Sequence, residues 1–361
     1  MSVLYCPTCD SPPDPLDWHC RACGGALELR DQPPFKADAI NTEHWSMWRY
    51  GSSLDVERRV SLGAGMTPLV PLKPSDESVW IKCEYLNPTG SYKDRGTETL
   101  LSYLAGHGVT SVVEESSGNA GASMAQYAAQ AGMRARIFVP ENAPPGKTRA
   151  IAAAAELIVV PGPRQNVNDA CLAAAVDGTV YASHGWNPYW IVGQQTIAWE
   201  IWEQFGKAPA AIVTPAGQGG LLLGIARGFR ALHAAGVIDR LPRLYAVQPW
   251  ACDPFVRAIE ADASEPELMI AQRSAADGTL VGNPVRGQQV LAAIRETHGW
   301  AFTVAEDDLL EARSQLARRG FYVEPTSAMT HAALARVHEH MGGAGGPIIL
   351  IATGHGLKSS A

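Results

Sequence analysis

Short apolar runs separated by stretches of helical periodicity dominate the chain beyond residue 100. Strand candidates fall at Ser111–Val113, Arg136–Val139, Leu157–Val160, Ala211–Thr214, Leu244–Val247 and Ile348–Ile351, with helical patterns between most of them. These runs carry little polar alternation, as expected of strands covered by helices on both faces. The pattern predicts α/β architecture with parallel-type sheets. From Gln32 to about Trp48 the chain is proline-containing and weakly patterned, which predicts a linker.

At 361 residues and 46% hydrophobic composition, the chain is large enough for two main domains. A net charge of −7 gives no global attraction to phosphate backbones, and no basic patch stands out, so neither a nucleic acid nor an anionic membrane is an expected partner. No run approaches the roughly 18 apolar residues of a membrane span. The first residues lack the basic and apolar regions of a secretory signal, so the expected location is the cytoplasm.

Four of the seven cysteines fall in the first 23 residues, as Cys6-Pro7-Thr8-Cys9 and Cys20-Arg21-Ala22-Cys23. Two such knuckles read as a zinc ribbon, because four thiolates complete the closed tetrahedral shell of a structural zinc site. A metal-free ribbon is the alternative. Asp10, Asp14 and Asp17 between and beside the knuckles argue against phosphate contact, so a structural appendage is expected.

Four further segments carry candidate chemistry. Asn87-Pro88-Thr89-Gly90-Ser91-Tyr92-Lys93-Asp94-Arg95-Gly96 is a turn that stops at Lys93 and opens a helix. An amine forms an imine only when deprotonated, and a helix start disfavours cations. Ser116-Ser117-Gly118-Asn119 follows a strand and precedes a helix, which is an anion-binding position or simply an N-cap. Ala211 to Leu221 reads as a buried strand entering the loop Gly217-Gln218-Gly219-Gly220, a phosphate cradle that fits neither the nucleotide P-loop nor the dinucleotide spacing. Thr353 ends the last apolar strand, where crevice residues of open parallel sheets sit. His355, in a Gly-His-Gly turn, reads first as structural and second as a general acid or base, and Glu324-Pro325-Thr326-Ser327 as a helix cap or a part of the site.

Pro88 to Arg95 resembles the cofactor-lysine motif of threonine synthases, within the tryptophan-synthase-β-like (fold type II) pyridoxal-phosphate enzymes. Gly65-Met66-Thr67-Pro68-Leu69, Ser116 to Gly121, the glycine loop and Ala352 to Lys358 extend the resemblance over most of the chain. It implies that Lys93 carries pyridoxal 5'-phosphate as a Schiff base and moves protons during catalysis. It further implies that Asn119 bonds the phenolic oxygen of the cofactor, and that Gly217, Gln218, Gly219 and Gly220 hold its phosphate. Thr353 would meet the pyridine nitrogen, while Ser116, Ser117 and Gly118 would hold the substrate carboxylate. The activity implied is conversion of O-phosphohomoserine and water to threonine and phosphate, by a homodimer acting on a small phosphorylated amino acid.

Trp190, Val192 and Gln195 depart from that family's pattern of basic and acidic residues, leaving Lys147 and Arg149 as candidate ligands of a substrate phosphate or as a solvated helix start. A serine or threonine dehydratase, or another β- or γ-replacement enzyme, is the competing expectation. A cofactor-free binding protein on the same fold is the non-enzymatic one. The expected organisation is a ribbon at residues 1–30, a linker and first part of a large lobe at 31–96, a small α/β lobe at 97–183 and the rest of the large lobe at 184–361. The cofactor is expected in the cleft between the lobes.

Overall fold

The structure, a computed structural model, describes residues 2–359 other than Asn142, Pro144 and Ala344; the side chains at 145–147 also lie outside the described residues. The chain forms two compact units, Met1–Met66 with Asn87–Gly193, and Thr67–Leu86 with Gln194–Ser359.

The first unit begins with β1 (Val3–Tyr5) and β2 (Glu28–Arg30), an antiparallel pair with Leu4 opposite Leu29. Cys6, Cys20 and Leu27 are buried together beneath it. This small element docks firmly rather than hanging free. The Trp18 ring meets those of Tyr181 and Trp186 edge-on, each at 5.1 Å between centroids, and Tyr103 Oη donates to Pro15 O at 2.8 Å. The segment expected as a linker ends in buried Met47 and Trp48. Trp48 Nε1 donates to Glu98, and the indole thereby ties the segment into the unit.

In the second unit, β3 (Leu69–Lys73) and β4 (Asp76–Lys82) form an antiparallel hairpin. The chain then returns to the first unit through α1 (Lys93–Gly106), β5 (Ser111–Glu114), α2 (Asn119–Gln130) and β6 (Arg134–Pro140). α3 (Pro145–Ala152), β7 (Glu156–Val160), α4 (Arg164–Ala173) and β8 (Thr179–Tyr181) complete that pattern. The four strands form a wholly parallel sheet in the order β7-β6-β5-β8. Such an order requires crossovers, which the intervening helices supply.

The unit boundary falls at Gly193 inside α5 (Pro188–Phe205). The second unit continues with β9 (Ala211–Pro215), α6 (Gly220–Ala234), β10 (Arg243–Pro249), α7 (Pro254–Glu260), α8 (Gly287–Glu296) and β11 (Trp300–Val304). It closes with α9 (Glu306–Arg318), α10 (Pro325–Ala332), α11 (Leu334–Met341) and β12 (Ile348–Ile351). Its sheet has the order β11-β10-β9-β12-β4-β3 and is parallel except at the β3 edge. Every residue of β9 and β12 is buried, which accounts for their unbroken apolar runs.

At the carboxyl end of β4, fully buried Lys82 donates to Glu200 Oε1 at 2.8 Å, Gln204 Oε1 at 2.9 Å and Thr67 O at 2.7 Å. The pair ties the hairpin to α5 through groups that satisfy its charge.

Candidate active site

The turn before α1 is built by its own polar groups. Gly90 takes a left-handed φ of +81°, and its N–H donates to Asn87 O at 2.8 Å. The buried Asp94 carboxylate accepts from Thr89 N and from Ser123 Oγ, each at 2.7 Å. Ser123 Oγ also lies 2.9 Å from Thr97 Oγ1. Asp94 therefore fixes the turn and binds the start of α1 to α2, the helix that begins at Asn119.

Lys93 is half-buried. Its Nζ lies 4.8 Å from the centroid of the Tyr92 ring and 5.1 Å from that of Trp190. Aromatic faces attract a cation at such distances while offering it no proton acceptor of consequence. Trp190 is buried, and a Cβ on Gly96 would come within 2.4 Å of its ring. Trp190 also meets the His184 ring edge-on, at 6.0 Å between centroids. His184 Nδ1 is 3.1 Å from Oε1 of buried Glu114. Sequence reading noticed Trp190 only as a departure from a pattern and missed Tyr92, His184 and Glu114. Their proximity to one another depends on tertiary packing.

Ser116 to Asn119 connects β5 to α2 and stays partly exposed. Gly118 is the N-cap of α2, and its N–H donates to Ser116 Oγ at 3.3 Å. The loop lies close over the helix: a Cβ on Gly121 would stand 1.9 Å from Ser116 O. Glycine at 121 thus permits the turn that leaves the first amides of α2 facing outward, where an anion is favoured.

The corresponding element of the second unit follows β9. Gly219 has φ +78° and caps α6, and a Cβ there would approach Val290 Cγ2 to 2.5 Å. Gln248 braces the loop, donating from Nε2 to Ala216 O at 3.0 Å and accepting from Phe255 N at 2.8 Å. Gln218 Oε1 accepts from Val285 N at 3.0 Å, so its side chain is used in holding the loop shape.

Thr353 follows β12, which pairs with β9, so both the glycine loop and Thr353 belong to the carboxyl ends of neighbouring parallel strands. Ligands of open α/β sheets bind at such ends. Ser327 on α10 stands 2.9 Å from Thr353 Oγ1 and accepts the N–H groups of Thr353 and Gly354 at 3.0 and 2.9 Å. The segment Glu324 to Ser327 therefore supplies the support of Thr353. His355 Nδ1 accepts from Leu357 N at 3.1 Å, consistent with its structural reading.

Arg149 is exposed in the last turn of α3; the Lys147 side chain lies outside the described residues. The four cysteines of the N-terminal knuckles come together, with all four Sγ atoms within 4.8 Å of one another. Sγ separations of 3.5 Å for Cys6–Cys23 and 3.4 Å for Cys9–Cys20 leave the thiols converging on one point, and all four are free of disulfides.

Residues 60–354 match the family model described as pyridoxal-phosphate dependent enzyme. Threonine synthase of Methanosarcina acetivorans is 33% identical, over 96% of this chain and 89% of that protein. Threonine synthase of Methanocaldococcus jannaschii is 32% identical over the same shares. Among solved structures, the tomato (Solanum lycopersicum) threonine deaminase isoform 2 in its processed form is 20% identical with a TM-score of 0.70, covering 90% of this chain and 93% of that one. Maize serine racemase shares the fold at 23% identity and a TM-score of 0.69, covering 80% and 88%. The chain belongs to the pyridoxal-phosphate-dependent enzymes, and it is a lyase with threonine synthases among its relatives. Among the described residues no helix is long and apolar enough to cross a membrane.

Proposed function

We infer that the protein is a threonine synthase, converting O-phosphohomoserine and water to threonine and phosphate. The observation that carries the reading is likeness to threonine synthases across 96% of the chain. Lys93, Asn119, Gly217, Gln218, Gly219, Gly220 and Thr353 are assigned to the cofactor. Three features support that fit. Lys93 offers a half-buried primary amine that would take the cofactor aldehyde, the left-handed Gly219 before α6 leaves backbone amides that would suit a phosphate, and Thr353 offers a buried hydroxyl that would serve the ring nitrogen.

When bound, pyridoxal phosphate supplies an electron sink for carbanions next to the amino group. Lys93 Nζ takes and returns the protons at successive substrate carbons, held beside them by the braced turn at Asp94. Ser116, Ser117 and Gly118 orient the substrate carboxylate with amides at the start of α2. Ser327 Oγ already accepts two N–H groups; turning its own hydrogen to Thr353 Oγ1 frees the threonine hydroxyl to donate onward. A hydroxyl donor there would suit an unprotonated ring nitrogen. Lys147 and Arg149 are the candidate cations for the substrate phosphate.

A second reading is β-elimination from unphosphorylated serine or threonine. It is favoured by Trp190, a neutral ring packed over the Lys93 amine and unable to grip a dianion. Product analysis with O-phosphohomoserine, serine and threonine separates the two. Threonine with equimolar phosphate supports the first, and 2-oxo acid from serine or threonine alone sinks it.

The ribbon is assigned a structural zinc on Cys6, Cys9, Cys20 and Cys23. Tetrahedral zinc with bonds of about 2.3 Å to sulfur needs thiolates roughly 3.8 Å apart, close to the separations found.

A further inference from the structure

A cavity of about 200 Å³ opens in the second unit, where the β3–β4 hairpin meets the end of α9 and the α10–α11 junction. It lies at the other end of the sheet from Thr353. Asp76 starts β4, whereas Lys82 at its finish pairs with Ile351, so about 20 Å of strand separates the cavity from the level of Thr353. Parallel sheets bind their reactants at the carboxyl ends, which leaves this cavity without a part in the reaction already assigned.

Its lining is chemically divided. Buried Leu72 and Val79 and half-buried Leu334 give it an apolar floor, half-buried His331 lines it, and Lys73, Arg319, His338 and one acid, Asp76, are its exposed rim. Lys73 and Asp76 are register partners across the hairpin and offset each other. Arg319 is left without a carboxylate among the described residues. Its Nη1 donates to His331 Nε2 at 2.9 Å, which holds that ring neutral and fixes the guanidinium at the rim. Burial, and to a lesser degree the nearby Arg319 and Lys73, pushes the His331 pKa below its ordinary value. The uncompensated charge is a single positive one.

We propose that this cavity binds a small monoanionic carboxylate with an aliphatic body, its carboxylate on Arg319 and Lys73 and its hydrocarbon on Leu72, Val79 and Leu334. A guanidinium takes a carboxylate through two parallel hydrogen bonds, and the floor excludes water from the rest of the ligand. One negative charge balances the rim; a dianion would exceed it.

The test uses the cofactor-loaded enzyme with carbon-13-labelled histidine, following the His331 ring resonance during titration with isovalerate. The expected result is a saturable shift that weakens tenfold or more in Arg319→Gln, with the near-visible cofactor band of that variant unchanged. Isovaleramide, the neutral isostere, leaves the resonance in place, and inorganic phosphate binds more weakly than isovalerate. Absence of a saturable shift overturns the site. Equal binding of the amide, or by Arg319→Gln, overturns the role of the guanidinium, and tighter binding of phosphate overturns the aliphatic ligand class. Because the readout is at His331, none of these results depends on which substrate the enzyme turns over.

Discussion

Ser327 Oγ lies 2.9 Å from Thr353 Oγ1 and receives the backbone N–H groups of both Thr353 and Gly354. One buried hydroxyl thus sets the direction of the residue proposed to meet the cofactor ring. Ser327→Ala leaves two buried N–H groups without this acceptor and should cost about 2–4 kcal/mol of stability. It should also lower kcat/KM by about 10- to 100-fold, the usual size of an orienting contact, while Ser327→Thr recovers part of the activity. Unchanged kinetics in a folded Ser327→Ala enzyme would remove Thr353 from the site.

Lys93→Ala tests the central assignment. The side chain is half-buried between aromatic faces and takes no part in the Asp94 network that holds the turn, so the fold should persist. The near-visible band of the bound cofactor should vanish, and the rate should fall by at least about 10²–10⁴-fold. An intact band on Lys93→Ala would assign the cofactor to another amine.

Gly96 and Trp190 offer a steric test of the wall beside Lys93. A methyl at position 96 would meet the buried indole at 2.4 Å, so Gly96→Ala must displace the ring or the helix. Overpacking of this kind costs about 1–3 kcal/mol. Cofactor affinity, read by fluorescence or absorbance titration, should weaken as the ring moves off the lysine. A variant of normal stability and affinity would show that the ring yields freely.

Much of this was legible in the primary structure, for physical reasons that differ by element. Ile348–Ile351 appears as an apolar run because the strand is covered on both faces. The edge hairpin of β3 and β4 escaped notice because Leu69–Lys73 is only partly buried and contains a proline. Lys93, Asn119 and the loop at Gly219 stand out as candidates because each borders a turn that opens a helix, where the local sequence is constrained. Ser327 and Trp190 could not be placed that way. Their roles come from packing against Thr353 and Gly96, and neither separation along the chain is local.

Lys82 and Glu200 test the interior of the second unit. Both are fully buried, and the ammonium also satisfies Gln204 and the Thr67 carbonyl. Lys82→Met should therefore destabilise by about 3–5 kcal/mol, since it strands a carboxylate away from water. Adding Glu200→Leu should recover much of that loss, because the desolvation cost disappears with the charge. A double variant as unstable as the single would mean that the lysine serves mainly through its bonds to Gln204 and Thr67. Chemical denaturation with matched slopes decides between them.

If the N-terminal cysteine cluster holds the proposed zinc, it should act on stability and leave the chemistry alone. Its cysteines converge on one point, and its arm places Trp18 against Tyr181 and Trp186 of the first unit. Metal binding would thus be coupled to the folding of the knuckles and, through Trp18, to the covering of apolar surface beside β8. Removing zinc with a chelator, or replacing Cys20 and Cys23 with serine, should lower the melting temperature by several degrees, in line with a loss of about 1–2 kcal/mol in a large chain. The near-visible band should remain, since Lys93 and the glycine loop lie in other elements. Metal analysis should give one zinc per native chain and none in the double variant. A full complement of zinc in that variant would rule out the four-cysteine site, and loss of the cofactor band along with the metal would give the ribbon a part in shaping the active site.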